Sequence, residues 1–133
     1  MTRLDRASSE DTMGPLDDEP RFETVSAPDE WPWTTDGPVR YVAVHHGDLL
    51  LGYLWAAEDD QAAGFVPAAS AGDAGDNAGV AWVGLLREAK ASGLRPLDTL
   101  RHWADGPDSG HGVPRGAESR AGLDDLVRLA AAT

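Results

Sequence analysis

The chain has no cysteine, and that single absence removes disulfide scaffolds, iron–sulfur centres, zinc ribbons and thiol nucleophiles from consideration. Lysine is almost as scarce: Lys90 stands alone, and 11 basic residues face 23 acids for a formal net charge of -12. Phosphate backbones and anionic lipid surfaces are gripped by clustered Lys and Arg, so this balance argues against a nucleic acid or a membrane as partner. Long apolar runs are missing too. The longest, Leu49 to Ala57, is roughly half of what a membrane helix needs, and the opening Met1-Thr2-Arg3-Leu4-Asp5-Arg6 lacks the apolar stretch of a signal peptide. The expectation is a soluble, cytoplasmic protein without internal repeats at solenoid periods.

What is present suits one small domain. A length of 133 residues fits a single core, and 41% hydrophobic content with five tryptophans supplies apolar matter for it, while 15 glycines and nine prolines imply extensive loops. The acids are unevenly spread: ten of them precede Pro38, against three bases. Residues 7–38 mix Ser, Thr, Pro, Asp and Glu without sustained periodicity, too little apolar surface to offset the entropy of ordering. The chain therefore divides into an acidic, largely flexible N-terminal segment, 1–38, and a single domain, 39–133. Within the segment, Trp31-Pro32-Trp33 stands out, because aromatic area of that size rarely stays loose in water. Trp31 and Trp33 are expected to anchor onto the folded body; the alternative is a short motif held out for a partner.

From Val39 the pattern changes. Val39 to His45 is rich in β-branched and aromatic residues, His46-Gly47-Asp48 is turn chemistry, and Leu49 to Ala57 is a second apolar run, which together predict a β-hairpin over 39–57 with both faces covered. Ala63-Gly64-Phe65-Val66-Pro67 adds a short third strand stopped by proline. Residues 68–79 hold no large apolar side chain and read as a surface loop. Trp82, Leu85, Leu86 and Ala89 follow helical spacing, with Asp76 or Asn77 as cap and Gly93 as terminator. Pro96 opens a second helix through Leu97, Leu100, Trp103 and Ala104, stopped by Gly106-Pro107. A Gly-, Pro- and Ser-rich loop to about Glu118 precedes a last helix with Leu123, Leu126, Val127 and Ala130 on one stripe. The predicted class is α+β: a small antiparallel sheet of about three strands packed against two or three C-terminal helices.

Candidate chemistry is thin. His45, His46 and Asp48 crowd the hairpin tip, but neighbours on a strand point oppositely and make poor joint ligands. His102, Asp105, Asp108 and His111 recur at every third residue and are of metal-binding type, though Gly106-Pro107 interrupts the run. Ser109 lacks a Gly-x-Ser-x-Gly elbow. Glu58-Asp59-Asp60 with Asp73 and Asp76 lacks the ligand order of an EF-hand and reads as a solvated acidic edge. Gly72, Gly75 and Gly79 precede a helix whose N-terminal amides suit an anion.

The stretch Tyr41-Val42-Ala43-Val44-His45-His46-Gly47-Asp48-Leu49-Leu50-Leu51-Gly52-Tyr53-Leu54-Trp55 resembles the central hairpin of GNAT-type N-acetyltransferases, and Arg3 to Pro15 resembles their opening segment. The resemblance implies acetyl-coenzyme A as cofactor, its pyrophosphate held by main-chain amides in an Arg/Gln-x-x-Gly-x-Gly/Ala loop. The matching stretch is Asp76-Asn77-Ala78-Gly79-Val80-Ala81, in which Gly79 and Ala81 fit and would be cofactor-binding, while Asp76 takes the basic or amide position. A carboxylate there repels a pyrophosphate, so the resemblance implies a GNAT-like acyl-coenzyme A binding or transferring domain, with an inactive lineage as the alternative that this departure leaves open. The competing reading is a non-catalytic interaction or accessory domain whose acidic segment meets a basic protein partner. A metal- or small-ligand-dependent activity without a motif is the third.

Overall fold

A computed structural model describes residues 30–104 and 112–133. The expectations for residues 1–29, and for Asp105, Asp108, Ser109 and His111, lie outside the described residues.

The predicted hairpin forms as β1 (Pro38–His46) and β2 (Leu49–Ala57), turning through Gly47 at φ 60°, where glycine avoids the Cβ clash of the left-handed region. β3 (Ala63–Pro67) pairs with β2, and β4 (Val113–Gly122) pairs with β1 on the opposite side. The result is one antiparallel sheet of order β3-β2-β1-β4. A single 3-10 turn (Ala69–Ala71) leads into α1 (Asp73–Ala91); α2 (Pro96–His102) follows, and α3 (Leu123–Ala132) leaves directly from β4. This is an α+β fold with a small antiparallel sheet and C-terminal helices, as the residue pattern predicts.

Strand alternation separates two cores. Val42, Val44, Leu54 and Ala56 face α1 and α2, where Ala78, Trp82, Leu86 and Leu100 cover them. Val39, Tyr53, Trp55 and Ala57 face the other way, onto Leu126 and Ala130 of α3. The sheet is therefore covered on both faces, which explains why β2 reads as a continuous apolar run rather than an alternating one.

Two expectations are corrected. The expected loop over 68–79 is a 3-10 turn followed by the first turns of α1, with Gly72 rather than Asp76 or Asn77 at the N-cap. Small residues there permit close approach: a Cβ on Gly75 would lie 2.9 Å from the carbonyl oxygen of Leu51, and Ala78 is buried against β2. The described part of the expected loop up to Glu118 is instead β4 from Val113 on, held to β1 by its backbone ladder, with Gly116 at φ 93° where the register shifts between Tyr41 and Ala43. The sheet thus has a fourth strand. The helix beginning at Pro96 starts where the sequence places it and ends at His102, with Trp103 as its C-cap rather than inside it. Among the described residues, no helix is long and apolar enough to cross a membrane.

Candidate functional site

β3 and β4 are the two outer strands of the sheet, and they are managed differently. β4 is charged. The carboxylate of Glu118 accepts two hydrogen bonds from Arg101, at 2.5 and 2.9 Å, and lies 3.5 Å from Arg40, while Glu58 takes Arg120 at 2.8 Å and Arg40 at 3.7 Å. Hydrogen bonding from Arg101 in particular holds the Glu118 carboxyl below the usual carboxylate range and raises the Arg101 guanidinium further. These groups satisfy one another and cover that end of the sheet.

The β3 edge is apolar and recessed. A groove of about 440 Å³ runs along it. One wall is the side of α1 that carries Asp76, Val80, Val83 and Arg87, spaced so that all fall on one helix face. The other wall is α3, through Leu123 and Val127. Phe65, Val66 and Pro67 form the floor. Residues 30–33 close one end: Glu30 is buried against Arg87 as an ion pair without hydrogen-bond alignment, Lys90 donates to the Glu30 carbonyl at 3.0 Å, and Ala63 N–H donates to the Pro32 carbonyl at 3.3 Å.

The candidate residues sort themselves against this geometry. Both indoles line the groove, but Trp31 also packs on the α1-side core, whereas Trp33 is 62% exposed. Gly79 and Ala81 lie inside α1, where main-chain amides donate to carbonyls four residues back; Gly79 faces Phe65 and Pro67 across the groove. His45 and His46 sit on the strand opposite Leu50 and Leu49, and His102 ends α2 with its ring 4.8 Å from that of Trp103. Among the described residues, no three His, Asp or Glu side chains gather as metal ligands would. The acidic break after β2 is structural: Glu58 holds Arg40 and Arg120, Asp59 accepts from the Gln61 amide, and Asp60 accepts from the Leu97 amide at 3.0 Å, capping α2 from another element.

Sequence reasoning finds Trp33 but not Val80, Val83, Phe65 or Val127 as its companions. Val80 is 76% exposed and stands off the buried stripe of α1, whereas Val127, expected on the α3 stripe with Leu123, Leu126 and Ala130, is instead 48% exposed beside the buried Leu126 and Ala130. The off-stripe position is the available sequence signal for Val80 alone; that it meets Val127 at one edge strand depends on the topology.

The fold and site define a two-core α+β domain with an apolar groove at an edge strand. Comparison of the chain with protein-family models, with curated proteins and with solved structures gave no match.

Proposed function

We propose that the chain is a small non-catalytic interaction domain of a soluble cytoplasmic protein, and that the groove along β3 is where it receives a polypeptide partner. The observation that carries this reading is the convergence of three exposed, large apolar side chains from three separate elements, Trp33, Val80 and Val127, around one concave surface. Scattered exposed apolar residues are ordinary, but a contiguous set at a groove marks a contact surface. The partner is basic: the chain carries a formal net charge of -12, with ten acids against three bases before Pro38 in the sequence, and Asp76 lines the groove.

The experiment is selection of a random nine-residue peptide display library on the full-length protein, with the double variant Val80→Asp, Val127→Asp as counter-target. The expected result is enrichment of apolar peptides bearing Lys or Arg that bind the native surface and not the variant, with affinity that falls as salt is raised from 50 to 500 mM. Circular dichroism of the variant must be unchanged, as substitution of two exposed residues predicts. Acetyl-coenzyme A is run beside the peptides: a rise in the melting temperature of several degrees at millimolar nucleotide would overturn the reading in favour of a cofactor-binding domain.

A further inference from the structure

Backbone parity settles which groups of β3 face the groove. Ala57 N–H bonds to the Ala62 carbonyl and Ala68 N–H to the Leu51 carbonyl, both at 2.9 Å, so the even-numbered residues of this strand turn their N–H and C=O toward β2. Those of Ala63, Phe65 and Pro67 therefore point away from the sheet, into the groove. The bond from Ala63 N–H to Pro32 shows the parity directly. Proline has no N–H, so the groove floor presents one donor, at Phe65, and three acceptors, the carbonyls of Ala63, Phe65 and Pro67. Side chains of an added strand would alternate between the α1 wall and the α3 wall, and both walls are apolar where they overhang β3.

We infer that the groove takes its partner as an extended strand added to the outer edge of β3, which pairs with no further strand among the described residues, continuing the sheet in line with residues 30–33, and that the segment it selects is apolar at successive positions with a Lys or Arg beside Pro67. This deepens the proposed function and rests on it. The strand form follows from the in-plane donor and acceptors, which a helix, with its own backbone bonds satisfied, could not use. Apolar character on both faces of the strand follows from the two walls. The basic residue follows from charge: Asp76 lines the groove one helical turn from Gly79, which lies against Pro67, whereas the carboxylate at the opposite end, Glu30, already has Arg87.

The predicted hydrogen-bond pattern is lopsided, with three of four bonds donated by the partner. Partner amides of one parity therefore matter and the intervening ones do not.

The test uses a peptide recovered in the selection above and the full-length protein. Each peptide amide is N-methylated in turn. Strand addition predicts that methylation at alternate positions weakens binding at least tenfold while the intervening positions change it less than threefold, and that hydrogen exchange at the Phe65 amide slows at least tenfold on saturation. Asp76→Asn is expected to weaken the peptide threefold or more and to flatten the salt dependence. A peptide that binds the groove but shows a three-to-four-residue period in the methylation scan, or leaves Phe65 exchange unchanged, overturns the strand while leaving the interaction surface standing. Failure of any peptide to distinguish native protein from the double variant removes the proposed function itself. A Phe65 amide already slow in the free protein overturns the inference by showing the edge filled from within the chain or by a second copy, which sedimentation of the native protein and the double variant separates.

Discussion

Gly52 and Asp60 each meet a local demand that few side chains satisfy. A Cβ on Gly52 would stand 2.3 Å from the Val66 carbonyl oxygen and 2.7 Å from the Phe65 ring, so β2 and β3 meet only because the side chain is missing. Gly52→Ala is expected to cost about 3 kcal/mol through overpacking, read as a lower urea midpoint. Gly84, inside α1 with open space where its Cβ would be, is the opposite case: Gly84→Ala should stabilise by about 0.5–1 kcal/mol in the same assay. Asp60 combines φ 61° with a carboxylate that caps Leu97 of α2. Asparagine tolerates that backbone and keeps an acceptor, whereas alanine does neither. Asp60→Ala should therefore lose about 1–2 kcal/mol and Asp60→Asn less than about 0.5.

Among the elements, α1 bears the most structural weight. Trp82 is 1% exposed, joins α1 to the sheet and meets the Trp103 ring edge-on at 5.2 Å. Trp82→Ala should cost about 3–5 kcal/mol, enough to leave a domain of this size largely unfolded at 37 °C by circular dichroism. The helix also shows how far the residue pattern can be read. Its large apolar side chains revealed its C-terminal half, and the hairpin and α2 were legible from alternation, turn residues and Pro96. Its first turns were not, because Gly75 and Ala78 pack by being small, and a run of Ala, Gly and Asp reads equally as loop. β4 was hidden for a different reason. Arg115, Gly116, Glu118 and Arg120 have no strand propensity of their own, and the ladder to β1 together with the Arg–Glu contacts holds them extended. The groove lay beyond sequence reasoning altogether, since Trp33, Phe65, Val80 and Val127 come from four stretches that only the sheet order brings together.

Over the whole molecule, charge is arranged as much as burial. An Arg–Glu network ties β1, the end of β2, α2 and β4 through Glu58 and Glu118. Because Arg101 holds the Glu118 carboxyl below its unfolded value, that carboxylate contributes stability above the ordinary carboxylate range, and the contribution is lost as pH falls through the lowered value. Glu118→Gln should therefore reduce stability at pH 7 and leave it nearly unchanged near pH 2, so that urea midpoints of the two proteins converge on acidification. The groups are partly exposed, and 0.5 M salt should narrow the difference at pH 7 as well.

The pairing of Pro38 with Gly122 and of His45 with Val113 joins residues 84 and 68 positions apart. A nascent chain can form β1, β2, β3 and α1 as they leave the ribosome, but β1 stays an open hydrogen-bonding edge until β4 and then α3 have been made. At about 5–20 residues per second that delay lasts several seconds. During it, the face that α3 later covers, with Val39, Tyr53 and Trp55, remains bare to water. Synthesis order thus makes the late residues 113–133 the protector of the early strand β1, and chains halted before residue 113 are the ones expected to engage chaperones or aggregate.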